Sequence, residues 1–499
     1  MRSAYGVSTV RAAEAAQIQA LNDGTLMQRA AAGLAAICAS LLGPVYGAVY
    51  GARVTVLAGS GDNGGDALYA GAMLARRGAV VTAVAATGKV HEAGLAALKQ
   101  AGGRMSTGMP QGNADLIIDG LLGIGGHGGL RDPFAALAAE AERQRQASLK
   151  TTVVAVDLPS GIDADTGAVD GAAVTADVTV TFGAIKPGLL IDPGASHAGT
   201  VHLIDIGLSL TSEDPRAQAP QREDIAALLP RPTAESDKYR RGVVGVLAGS
   251  DRYAGAAVLA TGGAIRGGAG MVRVVTEDVP AQAVRARWPE AVLSSDLAET
   301  GRVQAWVAGP GMGTDDGARA RLERVLSTDV PVLVDADGLT LLTGLRDALN
   351  RRTAPALITP HAGELARLLG ADASAIEARR LEHARHAAEE LGVTVLLKGS
   401  TTVIATPDAD KPVLVNPTGT SWLATAGSGD VLSGLAGALL AQGLAPEQAA
   451  IAAAYLHGLA GRLAAAGPAA GPAGDTVGAP ISAHDIIGAL PDAIRATTR

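Results

Sequence analysis

Short apolar runs alternate with alanine-rich stretches at helical spacing almost from end to end of this chain, and that alternation predicts parallel sheets with crossover helices. In the first half the predicted strands are "RVTVLA", "AVVTAVAA", "LIIDGLL", "TTVVAVDL", "DVTVTF" and "VHLIDI". The polar, proline-bearing run Thr211 to Arg222 breaks the pattern, and residues 213–222 read as a linker between a domain over 1–212 and a second over 223–499. The second series has "GVVGVLAG", "MVRVVT", "VQAWVAG", "VPVLVDAD", "ALITP", "TVLLKG" and "TTVIAT", then long helices from about Pro446 onward. "AAAGPAAGPAGD" within that helical end reads as a loop of low complexity.

Composition narrows the function classes. A chain of 499 residues exceeds one ordinary core, and about one domain per 150 residues suggests two or three. Aromatics are only 2% of it, so alanine, valine, leucine and isoleucine must build the interior. A net charge of −8 and a pI near 5.6 argue against a nucleic-acid or anionic-membrane binder, both of which need a basic face. Cys38, the single cysteine, has no partner for an intrachain disulfide and reads as a buried thiol. With no secretory leader pattern and no uninterrupted apolar stretch of about 18 residues, a cytoplasmic protein of small-molecule chemistry is expected.

Three strand ends of the first half carry unusual residues: "GSGDNGGDA" after "RVTVLA", "DGLLGIGGHGG" after "LII", and "DLPSGIDADTG" after "VVAV". Ligands of open parallel sheets bind beyond the carboxyl ends of the strands, so these turns are expected to converge. "GIGGHGG" lacks the strand, helix and acidic-residue context of a dinucleotide fingerprint. Asn63, Asp119, Asp157 and Ser160 offer an amide, carboxylates and a hydroxyl, an oxygen-rich set suited to a hard cation.

With "VDLPSGIDADTGAVDGAAVTADVTVTFGAIKPGL" and the early "TLMQRAAAGLA", these motifs resemble the epimerase half of the bifunctional NAD(P)H-hydrate repair enzymes over roughly residues 5–210. The resemblance implies a Rossmann-like, three-layer domain that interconverts the R and S forms of hydrated NADH and NADPH. Carried over by position, Asn63, Asp119 and Ser160 would hold potassium. Asp62, Asn63, Gly64, Gly65 and Asp66, the loop Gly123, Ile124, Gly125, Gly126, His127, Gly128 and Gly129, and Asp157 would line the hydrated nucleotide, with Asp157 moving the proton. The sequence departs from the family at Asp62, usually asparagine, and at Ala67, usually glycine.

In the second half, "ATAGSGDVLSG" runs a glycine-rich backbone into a helix, where free N–H groups and the helix dipole favour an anion. Asp430 in its first turn is placed to cap the helix or to deprotonate an attacking hydroxyl. "LLKGSTTVIAT" reads as a strand pair bearing a lysine and hydroxyls for phosphate oxygens, and His383 and His386 read as residues of a solvated helix. Together with "AGPGMG", "DADGL" and "TPHAGELARLL", these segments resemble the ADP-dependent dehydratase half of the same family, a ribokinase-like fold, over about 220–499. The resemblance assigns hydrated nucleotide to Ala256, Gly313, His361 and Asp430, and adenine nucleotide to Lys398, Gly399, Ser400, Thr401, Thr402 and Gly429. Ser428 replaces the family's usual threonine.

The implied activity dehydrates the S form with ADP and Mg2+, giving NAD(P)H, AMP and phosphate. Small molecules, and no nucleic acid or membrane, are the expected partners of a homo-oligomer. The competing expectation is a ribokinase-like small-molecule kinase with a non-catalytic N-terminal binding domain.

Overall fold

The computed structural model describes residues 1–20, 24–85, 87–148, 150–210, 213–467 and 478–499. The chain divides into two compact units, Ser3–Ala217 and Gln218–Arg499, the latter joined by Met1–Arg2. Thr211, Ser212 and most of the low-complexity segment lie outside the described residues. The stretch read as a linker contains a short strand, Ala217–Ala219, with Pro215 and Pro220 on either side. Proline lacks the N–H that would extend a ladder, which keeps the strand short.

The first unit holds a seven-stranded sheet. Its order is Arg104–Ser106, Val80–Ala85, Arg53–Ala58, Leu116–Gly120, Thr152–Val156, Val178–Phe182 and Thr200–Ile204, parallel throughout. Side chains alternate between two apolar layers. Val54, Val56, Leu116, Ile118 and Val154 pack with the helices Thr25–Tyr46 and Asp62–Arg76. Leu57, Ile117, Val153 and Ala155 meet Ala138 and Ala141 of the helix Phe134–Ala147. This period of two buries both faces and makes the three layers. Strand order reverses between Arg53–Ala58 and Leu116–Gly120, the place where doubly wound sheets open a crevice.

The second unit's sheet runs Val413–Asn416, Thr402–Ala405, Thr394–Leu397, Ala356–Ile358, Val332–Val334, Ala305–Ala308, Val243–Leu247, Met271–Val275 and Val292–Ser294. The strands from Thr394–Leu397 to Val292–Ser294 are parallel, whereas Thr402–Ala405 and Val413–Asn416 add antiparallel. The turn Lys398–Thr401 is too short for a crossover helix, so an all-parallel sheet is impossible at that edge. The helices Ala254–Arg266 and Ser428–Ala441 pack backbone to backbone: a Cβ on Gly434 would lie 1.9 Å from the Ala260 carbonyl oxygen, and one on Gly263 2.2 Å from that of Val431.

Among the described residues, two helical spans, Thr25–Gly43 and Pro446–Ala466, are long and apolar enough by composition to cross a membrane. Both contribute side chains to the cores, Leu34, Cys38 and Leu42 from the first and Ile451 and Leu456 from the second. Burial pushes the Cys38 thiol up to about 12, so it stays protonated.

Candidate active sites

At the reversal point of the first sheet lies a cavity of about 610 Å³. Asp62, Asn63 and Asp66 reach it from the start of the helix Asp62–Arg76, Gly123, Ile124, Gly125 and Gly126 from the loop after Leu116–Gly120, and Asp157 from the end of Thr152–Val156. Arg11 and Glu14 of the helix Val7–Ala20 close another side.

The remaining predicted residues do other work. A Cβ on Gly64 would sit 2.1 Å from the Gly59 carbonyl oxygen, and one on Gly65 would sit 3.0 Å from the His91 ring, so both glycines serve close packing. His127 is 80% exposed, with Nδ1 3.9 Å from Asp163. Gly128 and Gly129 are also absent from the cavity wall, and Gly129 packs on the Gly171 backbone. Only the first half of the glycine loop therefore faces the cavity.

Asn63, Asp119 and Ser160 come together beneath it. Asp119 Oδ1 accepts from Ser160 Oγ at 2.7 Å and from the Leu121 N–H at 3.2 Å, while Oδ2 accepts from the Ser160 N–H at 2.8 Å. The Asn63 amide donates to the carbonyls of Leu122 and Val156, each at 2.9 Å, which leaves its Oδ1 as acceptor. Burial raises the Asp119 carboxyl to about 6 against the pull of these N–H and O–H donors, and no basic side chain is among the groups acting on it. A buried carboxylate without a cationic neighbour, beside an amide and a hydroxyl oxygen, fits a hard cation.

Asp157 adopts φ 65°, the left-handed region, uncommon for a residue other than glycine. Its Oδ1 accepts from Lys186 Nζ at 2.5 Å, Thr181 Oγ1 at 3.0 Å and the Phe182 N–H at 3.2 Å. Lys186 is 1% exposed. Asp66 contrasts with it: its Oδ1 is buried without a hydrogen-bond partner. Burial, then the charges of Asp157, Asp62 and Glu14, push the Asp66 carboxyl well above its ordinary value. An ion-paired carboxyl and one with a buried, unpartnered oxygen thus share one cavity wall.

In the second unit Gly427, at φ 85°, turns the chain into the helix Ser428–Ala441. Asp430 occupies its first turn, and its carboxyl is raised to about 7 by burial and then by Asp335, partly offset by Lys398, with Asp337 and Glu364 adding to the rise. Lys398 Nζ donates to Asp335 Oδ1 at 2.7 Å and lies 3.7 Å from Glu364, and Ser433 Oγ donates to Asp335 Oδ2 at 2.6 Å. Burial lowers the Lys398 ammonium, but Asp335 and Glu364 more than compensate, so it stays charged. A Cβ on Gly429 would lie 3.5 Å from Lys398 Nζ, which brings the phosphate-type turn and the helix start together.

The other predicted residues surround this centre. Gly313 N–H donates to Asp337 Oδ2 at 3.0 Å. A Cβ on Gly311 would lie 2.7 Å from that of Ala256, so the glycine turn rests on the start of the helix Ala254–Arg266. His361 caps the helix Ala362–Leu369, its Nδ1 accepting from the Gly363 N–H at 3.0 Å, while Glu364 accepts from the His361 N–H at 2.8 Å. Its ring remains 57% exposed. His386 pairs with Glu390 at 3.2 Å on an exposed helix face.

The chain matches known proteins. The family described as NAD(P)H-hydrate dehydratase matches residues 244–478, and that described as YjeF-related protein N-terminus matches 23–188. The bifunctional NAD(P)H-hydrate repair enzyme of Mycobacterium leprae is 48% identical over 472 residues, covering 94% of this chain and 96% of the relative. This chain belongs to the bifunctional NAD(P)H-hydrate repair enzyme family. The namesake from Mycobacterium tuberculosis H37Rv is 49% identical over 90% of this chain and 91% of its own, and that from Escherichia coli K12 36% over 82% and 80%. Among solved structures, a ribokinase-like superfamily protein from Enterococcus faecalis V583 is 25% identical, covering 56% of this chain and 96% of that one with a TM-score of 0.50.

Several residues of this repair-enzyme family member were not singled out from its sequence. Lys186, Glu14 and Arg11 join the first site; Asp335, Glu364, Ser433 and His457 join the second. His457 Nε2 lies 2.9 Å from the Ser428 carbonyl oxygen, and burial lowers its ring to about 4. The neutral ring therefore donates to the first residue of the helix Ser428–Ala441. Lys186 and Asp335 stood inside recognised motifs, "FGAIKPGL" and "DADGL", and their burial next to an opposite charge is the signal the sequence lacked.

Proposed function

We propose that this chain restores hydrated NADH and NADPH, the first unit interconverting the R and S forms and the second dehydrating the S form with ADP to give AMP and phosphate. The observation that carries it is Asp430: a carboxyl raised to about 7 in the first turn of a glycine-capped helix, beside a charged lysine. A base with that affinity for protons accepts one near neutral pH and still ionises there.

Hydroxide leaves a ring carbon poorly, so the hydroxyl is first turned into a phosphate ester. Asp430 takes the hydroxyl proton as the oxygen attacks the β-phosphorus of ADP, and AMP departs. The N–H groups of Gly427 to Gly429 and the Lys398 ammonium hold the phosphoryl oxygens. Phosphate then leaves with help from the ring nitrogen's electrons, and loss of a proton from the adjacent carbon restores the dihydronicotinamide. Mg2+, when bound, neutralises the nucleotide phosphates.

In the first unit, inversion requires protons to move on and off the hydroxyl and the ring nitrogen. Asp157, held by Lys186, Thr181 and the Phe182 N–H, serves as the acceptor. Asn63, Asp119 and Ser160 would hold a potassium ion, which would supply a fixed positive charge for a nucleotide that carries phosphates. The competing reading, a ribokinase-like small-molecule kinase with a non-catalytic N-terminal binding domain, is not favoured, because the curated relatives match across both domains.

Separated R and S hydrates of NADH, incubated with ADP, test both activities through recovery of reduced-nicotinamide absorbance. Both forms recover if the reading holds. Recovery of S alone removes the epimerase, and recovery of neither, with phosphoryl transfer to an unrelated alcohol, replaces the whole assignment by the kinase.

A further inference from the structure

The turn Lys398–Thr401, which joins the antiparallel strands Thr394–Leu397 and Thr402–Ala405, is organised around one buried cation. Arg380 opens the helix Arg380–Leu391, and its side chain is 1% exposed. A single nitrogen, Nη2, donates to the carbonyls of Lys398 at 2.7 Å, Leu397 at 3.3 Å and Thr401 at 3.3 Å. Nη1 pairs with Glu377, whose side chain is 59% exposed.

Gly399 is matched to this arginine. Its backbone does not occupy the left-handed region, so conformation does not demand glycine there. Space does: a Cβ would lie 2.1 Å from Arg380 Nη2 and 2.5 Å from Cζ. Stability alone does not account for the arginine either, since its Nε is buried without a hydrogen-bond partner, and a buried guanidinium with an unsatisfied N–H is a costly core residue.

Carbonyl and N–H of a trans peptide point in opposite directions. Fixing the Lys398 carbonyl on Arg380 therefore turns the Gly399 N–H away from the core. It also settles the backbone from which the Lys398 side chain extends to Asp335.

We propose that Arg380 is the positioning residue of the phosphate-binding turn, holding Lys398 to Thr401 in the conformation that receives a nucleoside diphosphate and so setting nucleotide affinity rather than the rate of the chemical step. This rests on the dehydratase reading only in taking that turn as the nucleotide site.

The test uses the full chain with Arg380→Met, Arg380→Lys, Gly399→Ala and the double variant Arg380→Met/Gly399→Ala. Affinity for Mg2+ and ADP is read by calorimetry, which needs no turnover, and KM for ADP and kcat by dehydration of the S hydrate. Losing charge-assisted hydrogen bonds that order the turn should weaken ADP binding and raise its KM about tenfold or more, with kcat at saturating ADP held within about threefold. Arg380→Lys should recover part of the loss. Gly399→Ala should weaken ADP binding by a similar factor alone but by less than about twofold in the Arg380→Met background, because the clash is gone. A fall in kcat at unchanged ADP affinity, or effects of the two substitutions that simply multiply, would overturn the proposal. If Arg380→Met does not fold, Arg380→Lys and Gly399→Ala decide it by the same readings. Wild-type protein that binds ADP without dehydrating the hydrate refutes the activity and leaves Arg380 to be judged on the binding data; wild-type protein that binds no ADP refutes the proposal.

Discussion

Asp430→Asn should abolish dehydration and at the same time stabilise the second domain. Its carboxyl rises from 3.8 to about 7 on folding, chiefly through burial and the nearby Asp335. A group whose folded value is raised destabilises the fold once it must ionise: the penalty is absent below its unfolded value, grows as pH rises between the two, and is complete above about 7. Roughly three units at about 1.4 kcal/mol each gives a penalty of about 4 kcal/mol at pH 8, an upper limit because the amide needs partners of its own. For a domain of this size that corresponds to a gain of roughly 5–10 °C in the second domain's melting transition. At pH 5, where the native carboxyl is protonated and the unfolded one largely ionised, the gain should fall to less than about half. Dehydration should drop about 10²–10⁴-fold with the base removed, while epimerisation continues. Differential scanning calorimetry at pH 8 and pH 5, with both activities assayed at pH 8, checks all of this. A melting transition that falls at pH 8, or rises equally at both pH values, would refute the electrostatic reasoning; an active variant would refute the base.

Lys186→Met leaves Asp157 without its cation in a closed environment and should cost the first domain about 3 kcal/mol, with epimerisation falling at least about tenfold and ADP-dependent dehydration of the S hydrate unchanged. Epimerase activity within twofold of wild type would show that the pair has no part in the reaction. Asp62→Asn removes a negative charge from a wall that already holds Glu14, Asp66 and Asp157, so KM for the R hydrate should fall about two- to fivefold at low salt, with the difference shrinking in 0.5 M salt as screening sets in. A rise in KM would mean that Asp62 contacts the substrate directly.

What the sequence made legible was chemistry written into backbone form. The ends of Arg53–Ala58, Leu116–Gly120 and Thr152–Val156 were readable because glycines and short acids after β-branched runs leave few other conformations, and the sheet order then brings Asn63, Asp119 and Ser160 together. The strands Arg104–Ser106 and Val292–Ser294 escaped notice because short, half-exposed edge strands carry no apolar run to detect. Within the glycine loop the sequence draws no distinction, for a related reason. From sequence, Gly123 through Gly129 are equivalent, but only Gly123 to Gly126 face the cavity, and Gly129 is spent on the Gly171 backbone.

The buried charges are the deeper omission, and they share one cause. Lys186, Arg380 and Asp335 are each about 1% exposed, yet in a sequence each looks like a residue for the solvent. Their ordinary place is the surface, and what makes them exceptions comes from distant segments: Asp157 reaches Lys186 across 29 residues, Lys398 reaches Asp335 across 63, and the turn carbonyls surround Arg380, whose charge partner Glu377 is local. Because an unpaired buried charge is strongly unfavourable, each such residue fixes the geometry of what it pairs with: the left-handed Asp157, the turn at Lys398, the wall beside Asp430. The groups assigned a role from the sequence are thus held in place by groups assigned none, and substitutions at Lys186 or Arg380 should alter proton transfer or nucleotide binding without removing any residue assigned to touch a substrate.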